Sequence, residues 1–210
     1  MQDEGSQLIA RAVAEAPLEG EDSGRWLDLC AGPGGKAALM GALARIEQAT
    51  VDAVEVSPHR AELIKKTVAD LPVRVHVGDG REPGLEPGFD RVLVDAPCSG
   101  LGALRRRPEA RWRKAESDIA DLNELQFELL ESALRLVRPG GVVVYSTCSP
   151  DLRETRDIVD RAVAKLGVEE LDAHTLIPDM GDVGRHKSVQ MWPHRHGTDA
   201  MFFAALRRTN

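Results

Sequence analysis

The sequence predicts an α/β fold: a largely parallel sheet with helices on both faces. Three observations carry this. Short β-rich runs alternate with longer helical patterns along the whole chain. The strand candidates are near-continuous apolar runs, as strands buried on both faces require. No internal repeat or low-complexity tract interrupts the alternation. A chain of 210 residues suits one domain, 1–210. Within it, a leading helix and linker over 1–24 precede a core over 25–210.

The elements follow in order. Residues 3–16 read as a helix with Leu8, Ile9, Ala12 and Val13 on one face, at helical spacings. A Gly/Glu/Ser-rich break over 19–24 leads to a strand at 25–30 (RWLDLC). Further strands are expected at 50–56 (TVDAVEV), 73–78 (VRVHVG), 89–95 (FDRVLVD), 141–147 (GVVVYST) and, last, 200–207. Helices fall near 35–46, 58–69, 117–137 and 151–166. Ser57-Pro58 and Ser149-Pro150 each place a hydroxyl cap before a proline at the first helical position. Pro139-Gly140-Gly141 ends the long helix and turns the chain into the next strand.

Composition narrows the function. Apolar residues make up 42% and charged residues 29%, ordinary for a folded domain. Aromatics are only 4%, so Leu, Val, Ala and Ile must build the core. No stretch approaches the ~18 uninterrupted apolar residues of a membrane helix. The acidic opening Met1-Gln2-Asp3-Glu4 is unlike a signal peptide, so membrane and secreted readings fall away. Three cysteines make no disulfide framework and suit a reducing, cytoplasmic compartment. They lack Cys-x-x-Cys pairing, so no metal site is expected. The net charge of −7 argues against a general nucleic-acid coat. Yet residues 105–114 carry +5 and residues 185–210 carry +4 within an acidic body, enough to meet a polyanion locally.

In an open parallel sheet, ligands sit beyond the carboxyl ends of the strands. The unusual residues fall at those ends: Cys30-Ala31-Gly32-Pro33-Gly34-Gly35-Lys36, Glu55, Asp79, Asp95-Ala96-Pro97-Cys98-Ser99, and Thr147-Cys148-Ser149. The glycine loop is no Walker A loop, because Cys30 stands where the first glycine belongs and Ala37 replaces the hydroxyl. With Glu55 ending the second strand 20 positions after Gly35, it reads as a nucleoside-binding loop, the carboxylate accepting the ribose hydroxyls. The bland alternative is a plain strand-to-helix turn and a solvated Glu. NAD and S-adenosylmethionine both satisfy this half of the site.

Cys98 and Cys148 put two thiols at two strand ends, and a free cysteine is commonly just a small buried hydrophobe. Together, and beside Asp95, they read as nucleophile chemistry, with Cys148 ahead of a helix start and Lys36 placed to favour a thiolate. Sequence physics alone leaves open which cysteine attacks. The run from Arg105-Arg106-Arg107 through Arg111-Trp112-Arg113-Lys114 follows the Cys98 loop directly. It reads either as a solvated loop or as a phosphate-contacting lip, with Trp112 stacking or packing. His186-Lys187 and Trp192 to His196 are candidates for the opposite lip.

DLCAGPGGK, VEVSP, GDGRE, FDRVLVDAPCSGLG and RPGGVVVYSTCS, in this order, resemble the Sun/Fmu-type RNA cytosine methyltransferases, which make 5-methylcytosine in ribosomal RNA. The resemblance runs from QDEGSQL to HGTDAMFFAALRR, almost the whole chain, and the DAPCSG and STCS pair is its most specific part. It implies a Rossmann-like, S-adenosylmethionine-dependent methyltransferase fold with a mostly parallel seven-stranded sheet. It also implies Cys148 as nucleophile on carbon 6, Asp95 at ring nitrogen 3, Cys98 as helper in release, and Lys36 as an orienting cation. By the same resemblance, residues 30–36 hold the methionine part of the cofactor, Glu55 the ribose and Asp79 the adenine amino group, and Asp95 is a further cofactor contact. Arg60, one turn past Glu55, is either a further cofactor contact or a surface ion pair. The implied partner is RNA, ribosomal or transfer, met by a monomer without metal. Family members carry an RNA-binding region ahead of the QDEGSQL motif, so this chain is expected to be the catalytic core alone. Ala200-Met201 stands where Gly-Phe is common before the final Phe, a packing variant. Two other readings compete. A nicotinamide-dependent oxidoreductase would leave the cysteines and the basic run without a role, and a non-catalytic RNA-binding module predicts eroded cofactor residues, which are present.

Overall fold

The computed structural model describes residues 2–112 and 116–209. Its strands are β1 (Arg25–Asp28), β2 (Thr50–Glu55), β3 (Val73–Val77), β4 (Phe89–Asp95), β5 (Val137–Thr147), β6 (Val168–Leu171), β7 (Val189–Gln190) and β8 (Phe202–Arg208). The helices are α1 (Glu4–Glu15), α2 (Gly35–Ile46), α3 (Pro58–Thr67), α4 (Ser117–Leu136), α5 (Arg156–Lys165) and α6 (Pro193–His196). The sheet runs β3-β2-β1-β4-β5-β8-β6, with the two-residue β7 paired to β8 off this path. β3, β2, β1, β4 and β5 are parallel, while β8 is antiparallel to β5 and β6. The expected mostly parallel seven-stranded sheet is therefore present, with one short strand more. Chain order reverses direction between β1 and β4, and this topological switch opens a crevice at the carboxyl ends of the strands.

Alternation along each strand divides the core. Val92 and Val94 of β4 and Val143 and Tyr145 of β5 pack with Phe127, Leu130 and Ala133 of α4 and with Ile158 and Val159 of α5. Their neighbours Leu93, Val142 and Val144 point the other way, against Ile9 and Val13 of α1 and Met40 and Ala44 of α2. All of these but Phe127 and Ile158 are essentially inaccessible. Each central strand thus buries both faces, the physical reason its sequence is a continuous apolar run.

The caps explain where two helix expectations part company. Ser57 Oγ accepts from the Arg60 N–H and α3 begins at Pro58, as Ser57-Pro58 predicts. Ser149-Pro150 does not start a helix. Ser149 Oγ instead accepts from Asp151 N–H at 3.1 Å, Asp151 caps a short 3-10 turn over Leu152–Glu154, and α5 begins only at Arg156. β5 starts at Val137, four residues before the expected 141, because the α4 helix stops at Leu136 rather than at the Pro139-Gly140-Gly141 turn. β1 ends at Asp28, short of the expected 30. No strand was placed in the sequence at the positions of β6 and β7.

Candidate active site

The strand ends place the site. Beyond β1, Ala31 N–H donates to Val54 O and Gly34 N–H to Ala31 O, folding residues 30–34 into a tight loop over the sheet edge. Gly34 is the α2 N-cap with φ +105°, a left-handed conformation that favours glycine. Gly32 is fixed by proximity: a Cβ there would lie 2.1 Å from Glu55 Oε2. Glu55 itself is 4% exposed. Its Oε1 accepts the Ser57 N–H at 2.7 Å and meets the Arg60 guanidinium at 2.6 Å, which leaves Oε2 toward the glycine loop. Arg60 is thus an ion-pair partner of Glu55 that also lines the cavity.

Two cavities open here. One, of about 560 Å³, is lined by Gly32, Glu55, Val56, Asp79 and Leu129 among others. The other, of about 450 Å³, is lined by Gln2, Ser6, Asp28, Lys36 and Asp199 among others. Both are lined by Cys30, Gly32, Asp95, Ala96, Ala103, Arg107 and Cys148. Asp95 and Cys148 therefore stand where the two cavities meet. Asp79 is half-exposed and held in a fork by Arg81, whose hydrogen bonds lower its carboxyl below the usual range.

Asp95 ends β4 and is doubly held. Its Oδ2 takes the Lys36 ammonium at 2.7 Å and its Oδ1 the Ser146 hydroxyl at 2.9 Å. Burial pulls the Lys36 ammonium down, but the charge and hydrogen bond of Asp95 outweigh it and raise the group. Lys36 is thus a fixed cation.

The two thiols are 3.4 Å apart, Cys98 Sγ to Cys148 Sγ. The Cys148 thiol is lowered from its ordinary value, first by the hydrogen bond from Cys98 and also by the Lys36 charge, against burial and Asp95. Cys98 is pushed well up, by the same bond and by burial. This replaces the expected helix start at Pro150 as the source of activation, since α5 begins eight residues past Cys148. Cys30 is also pushed up, by burial and then by the surrounding carboxylates.

Sequence reasoning passed over Asp28, at the end of β1. It is 0% exposed, and among the described residues neither carboxylate oxygen completes a hydrogen bond. Burial, then the charge of Asp95, raises its carboxyl to about 7. A carboxylate closing a buried strand ahead of a glycine loop was the available signal.

The basic run divides. Arg105 bridges Asp199 and Asp3, and Arg106 grips both oxygens of Asp199, which is 1% exposed. Arg107 lines both cavities, and among the described residues its guanidinium meets no acid. The side chain of Arg111, and Arg113 and Lys114 entirely, lie outside the described residues. Trp112 is 84% exposed, which excludes the packing role. On the opposite side, His196 accepts from Trp192 N–H and bonds Gly181 O, and Lys187 reaches Glu170 O. These residues staple loops.

The family model described as 16S rRNA methyltransferase RsmB/F matches residues 15–207. A Mycobacterium tuberculosis protein named "Putative methyltransferase Rv1407" is 59% identical over 209 residues, 99% of this chain and 46% of that protein. The ribosomal RNA small subunit methyltransferase B of Erwinia tasmaniensis is 36% identical over 196 residues, 91% of this chain and 43% of that protein. The chain thus spans about half the length of the curated relatives it matches. Among solved structures, NSun6 from Pyrococcus horikoshii with SFG superposes with a TM-score of 0.83 at 26% identity, over 100% of this chain and 53% of that one. A structure described as PH0851 gives 0.85 at 32%, over 99% and 46%.

Proposed function

This chain belongs to the 16S rRNA methyltransferase RsmB/F family, and from that premise we propose that it is the catalytic domain of an S-adenosylmethionine-dependent RNA methyltransferase acting on carbon 5 of a cytosine. The observation that carries the reading is the thiol pair: Cys148 Sγ, lowered toward its thiolate, stands with Asp95 at the junction of two cavities. Cofactor chemistry fits the larger cavity. Gly32 leaves room that a Cβ would fill, and the inward Oε2 of Glu55 is an acceptor for ribose hydroxyls. The relative solved with SFG, an S-adenosylmethionine analogue, supports this cofactor. When bound there, S-adenosylmethionine supplies an electrophilic sulfonium methyl, and residues 30–36, Glu55, Asp79 and Arg60 are the residues proposed to hold it.

The base then enters where the two cavities meet, beside Asp95 and Cys148. Carbon 5 of cytosine is a poor nucleophile until a thiolate adds at carbon 6. Cys148 forms that carbon–sulfur bond, and the displaced ring electrons make carbon 5 nucleophilic while Asp95, oriented by Lys36, manages the proton at ring nitrogen 3. After methylation the carbon-5 proton passes to a solvent water, its bonding pair re-forms the ring double bond, and the carbon–sulfur pair returns to Cys148. Cys98, 3.4 Å away, donates its S–H toward the departing sulfur. RNA, ribosomal as in the names of the relatives, is the proposed substrate, and the chain is proposed to meet it as a cytoplasmic monomer.

Cys148→Ala is expected to bind cofactor yet transfer no methyl group and form no covalent complex with RNA. Cys98→Ala is expected to form the adduct and release it slowly, so that complexes resistant to denaturation accumulate in that variant alone. A denaturing gel with labelled RNA reads both. The adduct in Cys148→Ala and none in Cys98→Ala would exchange the two roles.

A further inference from the structure

Cys98 lies on a loop, where a free thiol would wander by far more than a hydrogen bond tolerates, yet its neighbours are both gripped from behind. Gln126, 0% exposed on α4, donates through Nε2 to Pro97 O at 2.9 Å and to Glu154 Oε1 at 3.1 Å. Glu154, also 0% exposed, accepts the Ser99 N–H on Oε1 at 2.7 Å and the Ser99 hydroxyl on Oε2 at 2.5 Å. One buried pair therefore holds the residue before Cys98 and the residue after it. The same pair is tied to the Cys148 strand, because Tyr145 OH donates to Glu154 O at 2.8 Å and Ser99 Oγ lies 3.4 Å from Ser149 Oγ. Among the described residues, Glu154 pairs with no cation, which is unusual for a wholly buried carboxylate. Hydrogen bonds rather than an ion pair keep it there, and a polar group so expensive to bury needs a positional reason.

We propose that Glu154, with Gln126, is a positioning residue that fixes the Cys98 thiol against Cys148 and so sets the rate at which the covalent adduct is released. This deepens the reading of Cys98 as the helper in release and rests on it.

Two measurements test it. On the protein alone, alkylation of each cysteine by iodoacetamide is followed against pH by mass spectrometry. Glu154→Ala and Gln126→Leu are expected to speed alkylation of Cys98 about fivefold, the loss of one hydrogen bond's worth of hold, with Cys30 unchanged as internal control. Glu154→Gln, which keeps the shape and lets the Ser99 hydroxyl turn round to accept, is expected to restore the hold. With RNA and cofactor, Glu154→Ala and Gln126→Leu are expected to accumulate the covalent complex as Cys98→Ala does, with cofactor affinity unchanged. Adding either to Cys98→Ala is expected to have no further effect on release. Unchanged Cys98 alkylation in folded variants, or adduct formation slowed as much as its release, overturns the proposal. Should Glu154→Ala not fold, as judged by circular dichroism, Gln126→Leu carries both measurements. If Cys98→Ala itself accumulates no adduct, the catalytic reading fails, while the alkylation profile still decides whether Glu154 holds Cys98.

Discussion

At 0% exposure and without a completed hydrogen bond to either oxygen, Asp28 keeps its proton up to about pH 7, where an ordinary carboxyl has lost it near 3.8. The native state then binds a proton that the unfolded chain releases, so this group's contribution to stability is full below pH 3.8 and declines as pH rises toward 7. Asp28→Asn is expected to remove that decline. It should be more stable than the parent by on the order of 2 kcal/mol at pH 8, with little difference at pH 4, as read from urea denaturation midpoints. A variant less stable at pH 8 would instead make Asp28 a charged partner of Lys36. The residue was passed over because the glycine loop that follows it draws attention to Cys30 onward, although a carboxylate closing a buried strand ahead of that loop marks it. Glu154 was hidden differently: in the sequence it sits in an acidic and basic stretch that reads as a solvated helix, and only the fold brings it under Ser99. By contrast Cys30, Glu55, Asp95, Cys98 and Cys148 were legible because each falls at the end of an apolar run, and the parallel sheet gathers strand ends into one crevice.

Elements were legible where two signals agreed. α3 carries both a serine cap and a proline at its first position and forms where expected; after Ser149-Pro150 the same pair is overridden, because the Ser149 hydroxyl is drawn into the network at Ser99 and Asp151. β6 was missed because Val168–Leu171 reads VEEL, a half-polar edge strand without the apolar run that marks its central neighbours. The segment after Cys98 shows how tertiary partners re-sort a charge run. Arg105 and Arg106 tie Asp3, the α1 cap, to the buried Asp199 just before β8, so they belong to the closure of the chain's two ends. Arg107 is left to face both cavities. Arg106→Ala is accordingly expected to lower the melting temperature by about 2–4 °C. Arg107→Glu should leave melting alone while weakening RNA binding and reducing the slope of log K against log salt by about 0.7, one phosphate contact on a single strand. Salt titrations of RNA binding and thermal melts of the two variants separate them. An Arg107 variant with an unaltered slope would return Arg107 to a solvated loop position.

Across the whole molecule, the two proposed ligands meet very different physics. Every group proposed to hold the cofactor comes from this one chain, at the ends of β1, β2 and β3 and, with Arg60, on α3, against strands whose faces are packed by helices. Little ordering should remain to be done on binding, and the ribose contact is a pair of hydrogen bonds, which salt barely touches. RNA faces a body of net charge −7 in which many cations are already paired with the chain's own carboxylates, the buried Asp199 and Asp90 and the half-exposed Asp79 among them. Its attraction has to come from a few local residues and must fall steeply with ionic strength. S-adenosylmethionine is therefore expected to bind without RNA, with an affinity that changes little between about 50 and about 500 mM salt, a range over which the Debye length shortens about threefold. Glu55→Ala should weaken that binding by ~1–3 kcal/mol, because removing the acceptor leaves the ribose hydroxyls unpaired in a site closed by Gly32. Isothermal calorimetry on the parent and variant decides this. Cofactor binding that appears only when RNA is present would mean the crevice is completed by the nucleic acid, and unchanged affinity in Glu55→Ala would take the ribose away from β2.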